Sequence, residues 1–76
     1  MTYLGVAGEI DKILEKYFCA HNDSSHLSGV YEKVIKEVEM VLIKRTLNFT
    51  NGNKTKAAEI LGLHRNTFAK KLALYP

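Results

Sequence analysis

The sequence predicts an all-α fold of four helices, a long dimerisation helix followed by a C-terminal helix-turn-helix. Three observations predict it. Apolar residues recur at helical spacing through most of the chain, with no strand-like alternation. One of these stripes runs for twenty-odd residues, more than its short neighbours can cover. Residues 53–75, NKTKAAEILGLHRNTFAKKLALY, read as two short amphipathic helices meeting at Gly62. The 76 residues make one small domain, with a helical dimerisation core over 1–50 and the helix-turn-helix over 53–75.

Ile10, Ile13, Leu14, Tyr17 and Phe18 mark a first helix over about 6–20, with Glu9 and Asp11 in its first turn, where the helix dipole favours acids. His21 to Ser28, HNDSSHLS, is polar and rich in turn residues and reads as a loop. Ser28 is placed to cap a second helix, whose stripe of Val30, Val34, Ile35, Val38, Val41, Leu42 and Phe49 continues to about Thr50. Such a helix is a rod of roughly 30 Å. On a lone chain Val38, Val41 and Leu42 would leave apolar surface open. A symmetric dimer covers it, with Val34, Val38, Val41 and Leu42 at the interface. Gly52 reads as a left-handed helix end rather than a hairpin tip, because both flanks are helix-periodic. Asn53 then caps a third helix over about 54–61, built on Ala57, Ala58, Ile60 and Leu61. Gly62 breaks it, Leu63 fills the corner, and a fourth helix over about 65–75 rests on Phe68, Leu72 and Tyr75.

Composition narrows the function classes. A lone cysteine, Cys19, forms no internal disulfide and fits a reducing compartment, as an idle thiol or half of an intermolecular bridge. No signal-peptide pattern or membrane-length apolar run is present, so the expected location is the cytoplasm, with no membrane partner. Cys19, His21 and His26 match no zinc-site spacing, and no catalytic carboxylate pair, Ser/His/Asp set or Gly-rich phosphate loop occurs. No enzyme, metal or cofactor is therefore expected. The net charge of +3 is unevenly spread: residues 1–43 carry four Lys against seven acids, and residues 44–76 carry seven Lys/Arg against Glu59 alone. One end of the chain suits a polyanion and the other is kept off it.

The helix-turn-helix has its own requirements. Two helices cross tightly only where the contact residue is small, which Ala58 satisfies beside Ala57, and the turn needs the positive φ that Gly62 supplies. One template position departs: Lys71 stands where an apolar residue is usual, and Leu72 takes up the burial. Arg65, Asn66 and Thr67 open the fourth helix, the end that would enter a major groove. Arg65 can bond guanine in bidentate fashion, and Thr67 can offer a hydroxyl to phosphate and a methyl to thymine. Of Lys70 and Lys71, one can reach a base edge and the other a phosphate. Asn53 and Thr55 can hold a phosphate at the start of the third helix. His64 is either a further base or phosphate contact or a half-exposed turn residue. Double-stranded DNA is the expected partner.

The segments VYEKVIKEVEMVL, FTNGNKTKAAEILG and HRNTFAKKL, with the run Gly52-Asn53-x-Thr55-x-Ala57-Ala58, resemble the Fis family, the factor for inversion stimulation of bacterial nucleoids. The resemblance covers Val30 to Tyr75. It implies an intertwined homodimer, a nucleoid-associated transcription regulator that binds degenerate sites and bends DNA because its recognition helices sit closer than one turn of duplex, ~34 Å. Arg65, Thr67 and Lys70 match the family's base- and backbone-contacting positions, and Asn53 and Thr55 its phosphate-contacting ones. His64 stands where enteric members carry Asn, and Ala69, Ala73 and Leu74 stand where they carry basic residues. That implies a shallower salt dependence, about one unit of slope for each missing phosphate-binding cation. Residues 1–26 read as helix and loop rather than the family's hairpin arm, so the sequence gives no support to recombinase activation, and contact with a recombinase or RNA polymerase stays open. The same motif ends NtrC-type regulators; a chain that starts with Met and ends just after the motif reads more as the short stand-alone form. Two alternatives stay open: an isolated DNA-binding domain of an NtrC-type activator, and a helical dimerisation module that has lost DNA binding.

Overall fold

The computed structural model describes residues 5–20 and 27–75. It contains α1 (Val6–Ala20), α2 (Val30–Phe49), α3 (Lys54–Leu61) and α4 (Arg65–Leu74), with no strand among the described residues. The expected loop lies outside the described residues as far as residue 26, and so do His21 and His26. Among the described residues no group of His, Cys, Asp or Glu is placed to hold a metal ion. No described helix is long and apolar enough to cross a membrane.

The helix ends are set by local backbone chemistry. Glu9 sits in the first turn of α1 as expected, whereas Asp11 falls one turn further on. Ser28 does not cap α2. The cap position belongs to Gly29, at φ +65°, and no side-chain cap bond is made there. The chain enters this helix through a left-handed residue, a conformation that glycine adopts without a Cβ penalty. At the other end the left-handed turn expected at Gly52 begins one residue earlier, with Asn51 at φ +55° and Gly52 at φ +85°. Asn51 N–H donates to Asn48 O (3.0 Å) and Gly52 N–H to Leu47 O (2.9 Å), the paired bonds of a Schellman ending. The Thr50 hydroxyl lies 3.1 Å from Leu47 O and 2.9 Å from Asn53 O, bracing the junction to α3. Gly62, at φ +73°, ends α3 in the same way, with Leu63 N–H donating to Ala58 O at 2.9 Å.

The core lies where α2, α3 and α4 meet. Ile43, Ala57, Ala58 and Phe68 are buried, and Leu47, Leu61, Leu63 and Leu72 pack around them. Ala57 and Ala58 let α3 lie close, as their size predicts, and Leu72 takes the burial expected beside Lys71. Several apolar residues assigned to stripes are not in this core, among them Phe49, 77% exposed, Ile60, 55%, and Ile35, 45%. Ile60 lies about 160° around α3 from buried Ala58 and about 100° from Leu61, so it points away from the corner.

The expected stripe on α2 also omits Ile43, the most deeply buried residue of that helix. Its position is about 140–160° around the axis from Val38 and Val41. α2 therefore carries two apolar faces. Ile43, Thr46 and Leu47 face the helix-turn-helix, while Val38 (42% exposed) and Val41 (59%) face the opposite way, with Leu42 (49%) beside them about 100° from Ile43. α1 leaves that second face open and buries no residue of its own; Ile13, Leu14 and Tyr17 line a shallow cleft with Val30 and Val34. The chain is accordingly spread out. Its radius of gyration is 15.2 Å, against about 11 Å for a compact chain of this length. Its accessible surface is 6508 Å², against about 4,700 Å² for a globular monomer of this mass.

A polar clamp extends the core along α2. Glu39, one turn before Ile43, accepts hydrogen bonds from Lys71 Nζ (3.1 Å) and the Tyr75 hydroxyl (3.0 Å), both on the C-terminal half of α4 or just beyond it. The Glu39 and Lys71 side chains are only 26% and 33% exposed.

Ile43→Ala should cost about 2–5 kcal/mol, since so small a corner has little left to close the cavity; thermal melting followed by circular dichroism measures it. The clamp makes a separate outcome testable. The Lys71 bond, followed by the Tyr75 bond, holds the Glu39 carboxyl below its ordinary 4.5. A depressed carboxylate stabilises the fold above its unfolded value and loses that contribution as pH falls through the folded one. Glu39→Gln should therefore lower the melting temperature near neutral pH, with the gap to the unmodified protein closing in acid. A gap unchanged down to pH about 2 would contradict this.

Candidate nucleic-acid interface

α3 and α4 set the positions of the polar residues that the sequence singles out. Asn53 is the N-cap of α3, its Oδ1 accepting from Lys56 N–H at 3.1 Å. That bond occupies the amide oxygen and leaves the NH2 group as a donor. Thr55 is exposed in the same first turn, flanked by exposed Lys54 and Lys56, two cations that the helix-turn-helix pattern does not single out. The first amides of a helix lack intrahelical acceptors, so this turn gathers donors and positive charge at one place.

The turn delivers α4 with its start exposed. His64 is the N-cap of α4, and its Nδ1 accepts from Asn66 N–H at 3.1 Å. The accepting nitrogen carries no proton, so the neutral ring must bear its hydrogen on Nε2, as a donor. His64 is thus an exposed turn residue with a specific task. Residue type hides that task because histidine is not among the preferred caps; the available signal is its place immediately before the first helical residue.

Arg65, Asn66, Thr67 and Lys70 are all exposed. Asn66 and Lys70, four residues apart, lie about 160° around α4 from buried Phe68 and so point directly away from the core. Ala69, Ala73 and Leu74 are exposed on the same helix, with Leu74 70% open. Lys71 is the member of the set that the structure does not bring to this surface. Its ammonium is engaged by Glu39, on the side facing α2. The reason is its place on the helix, about 60° from Phe68 and about 100° from Lys70. The surface formed by the starts of α3 and α4 thus offers amide, hydroxyl, imidazole, guanidinium and ammonium donors, with Glu59 the sole acid in residues 44–76. Such a surface can bond phosphate oxygens and the acceptor atoms of base edges.

Comparison with known proteins gives a consistent picture. The family model for "Bacterial regulatory protein, Fis family" matches residues 34–75, from the second turn of α2 to the end of the helix-turn-helix. A putative Fis-like DNA-binding protein of Pseudomonas aeruginosa is 44% identical over 66 residues, 87% of this chain and 62% of that protein. The DNA-binding protein Fis of Proteus mirabilis is 36% identical over 75 residues, 99% of this chain and 76% of that protein. The DNA-binding transcriptional regulator NtrC of Azospirillum brasilense is 44% identical over 68 residues, 90% of this chain but 14% of that protein. The chain therefore spans about a seventh of the NtrC regulator it matches and most of the Fis protein of Proteus. With most of its long helix, its two-alanine corner and its helix-turn-helix all inside the matched region, the chain belongs to the Fis family of bacterial regulatory proteins.

Proposed function

We propose that this protein is a sequence-tolerant, DNA-bending regulator that works as a homodimer and reads duplex shape more than base sequence. The observation that carries the reading is the exposed donor surface at the starts of α3 and α4, held on a buried corner and free of acids other than Glu59. Arg65, Asn66 and Thr67 lie against base edges at the start of the recognition helix, with Lys70 a turn further on. Asn53 and Thr55 hold a phosphate across the groove, and the Nε2–H of His64 supplies one more donor to the backbone. Few of these groups specify a base, and Ala69, Ala73 and Leu74 add no charge. Selectivity then rests on groove width and deformability, and the grip is lighter than an all-basic helix would give. The bacterial nucleoid in the cytoplasm is the place where such a protein meets its ligand.

The open face of α2 supports the dimer. Val38, Val41 and Leu42 present an exposed apolar strip that half-buried Val34 continues, and the excess of about 1,800 Å² over a globular monomer's surface is ample for the ~800 Å² per partner of a stable interface. Two such chains pairing through α2 carry two recognition helices on one rigid frame, which a duplex meets by bending. A second reading is favoured by the identity to the Azospirillum NtrC regulator: the chain is the C-terminal DNA-binding domain of an activator of that kind. Coding sequence upstream for an ATPase domain would decide for it.

In a binding titration at moderate salt, the protein should shift AT-rich duplexes, and Arg65→Ala should weaken binding by more than about tenfold, the equivalent of removing one bidentate base pairing. Equal binding by both would remove Arg65 from the contact surface, and no binding even at low salt would refute the DNA reading. Sedimentation at micromolar concentration should give a dimer; a clean monomer would remove the α2 interface.

A further inference from the structure

The DNA-facing set leaves one cluster of charged and polar side chains without a role: Glu39, Lys71 and Tyr75. Lys71 lies about 100° around α4 from Lys70, on the side facing α2, and the three groups join the recognition helix to α2 at a point remote from the turn. We propose that Glu39 is a positioning residue for DNA bending, fixing the angle of the recognition helix against the dimerisation helix through Lys71 and Tyr75; this rests on the reading of a dimeric DNA-binding protein.

The buried corner comprises Ile43, Ala57, Ala58 and Phe68, all close to the turn or to the first half of α4. Beyond Phe68 only half-buried Leu72 adds apolar contact, so the second half of α4 would pivot about the corner if nothing else held it. Lys71 and Tyr75 are four residues apart and therefore on one side of the helix. Both converge on a single Glu39 oxygen, at 3.1 and 3.0 Å. Glu39 itself lies one turn before Ile43, on the α2 face that meets the helix-turn-helix. Two fixed points, Ile43 to Phe68 and Glu39 to Lys71 and Tyr75, define a direction where one would leave a hinge.

That direction is what a dimer transmits to DNA. With the two α2 helices paired, the separation and tilt of the recognition helices follow from the angle between α2 and α4 in each chain. A duplex that must bend to meet both helices gains from that angle being fixed before binding, because the ordering cost has then already been met in the fold. Lys71 is thereby a clamp residue and not a phosphate contact, which separates it from neighbouring Lys70.

The test uses the full chain, a duplex of about 30 base pairs carrying fluorophores at its ends, and the variants Glu39→Ala, Lys71→Ala, their combination, and Lys70→Ala. Sedimentation and melting first confirm that each variant is folded and dimeric; should Glu39→Ala prove unfolded, Lys71→Ala and the swapped pair Glu39→Lys with Lys71→Glu carry the comparison. The expected result is a smaller or broader bend with both clamp variants, a loss of affinity of roughly three- to tenfold that is shared rather than additive in the double variant, and partial recovery in the swapped pair. The dependence of affinity on salt should keep its slope in Lys71→Ala and become shallower in Lys70→Ala, by about one unit for the phosphate that Lys70 neutralises. Amide exchange in residues 72–75 should rise in the clamp variants while residues 57–61 stay protected. Bending and exchange like the unmodified protein's, or a Lys71→Ala slope reduced as far as that of Lys70→Ala, would overturn the positioning role alone. Failure of the unmodified protein to bind or bend any duplex would sink the DNA reading and this role with it.

Discussion

The contact of Ile43 with the corner formed by Ala57, Ala58 and Phe68 is the constraint on which the rest depends. It is where the long helix meets the helix-turn-helix, and its members are among the few fully buried side chains of the described residues. The two alanines set the closeness of α3, Gly62 sets the turn, and Phe68 fixes the depth of α4. Every exposed donor on α3 and α4 inherits its place from that arrangement. A larger residue at 57 or 58 would displace the whole surface rather than perturb one contact, since close-packed interiors shift when a single methyl group is added.

Charge and shape cooperate around this corner. The N-terminal half of the chain is acidic and the C-terminal half basic, so long-range attraction to a polyanion orients the molecule before any specific contact forms. The one acid of α2 that reaches the helix-turn-helix, Glu39, is engaged by Lys71 and Tyr75, which removes its negative charge from the field around the interface. The same pairing takes Lys71 out of the positive surface, leaving a recognition helix whose outward charges are Arg65 and Lys70.

Much of the architecture is legible in the sequence because its signals are local. The helix periods, the cap at Asn53 and the glycine at 62 act on neighbouring backbone and say so through residue type. What escapes is set by tertiary direction. Ile43 does not stand out as core because it lies off the dominant stripe of α2, on a second face. Phe49 and Ile60 look like core residues by hydropathy, but the register turns them outward. Lys71 looks by residue type like exposed Lys70 beside it; only the side of α4 that meets α2 distinguishes them. Ser28 is a better cap than glycine by propensity, and the left-handed entry at Gly29 overrides it. His64 carries out a cap's task that its residue type does not announce.

The two-faced character of α2 also has a genetic consequence. In the proposed homodimer, a chain altered only on its DNA surface would still fold and find partners, so its mixed dimers would carry one competent reader and one incompetent one. Such alleles should act dominantly when expressed beside the normal copy. On the same proposal, chains altered at the Ile43 face would fail before pairing and chains altered at the Val38–Leu42 face would fold without pairing, so both kinds should be recessive. The division follows from about half a turn of one helix, and it sorts substitutions along α2 into loss and interference by their angular position rather than by their chemistry.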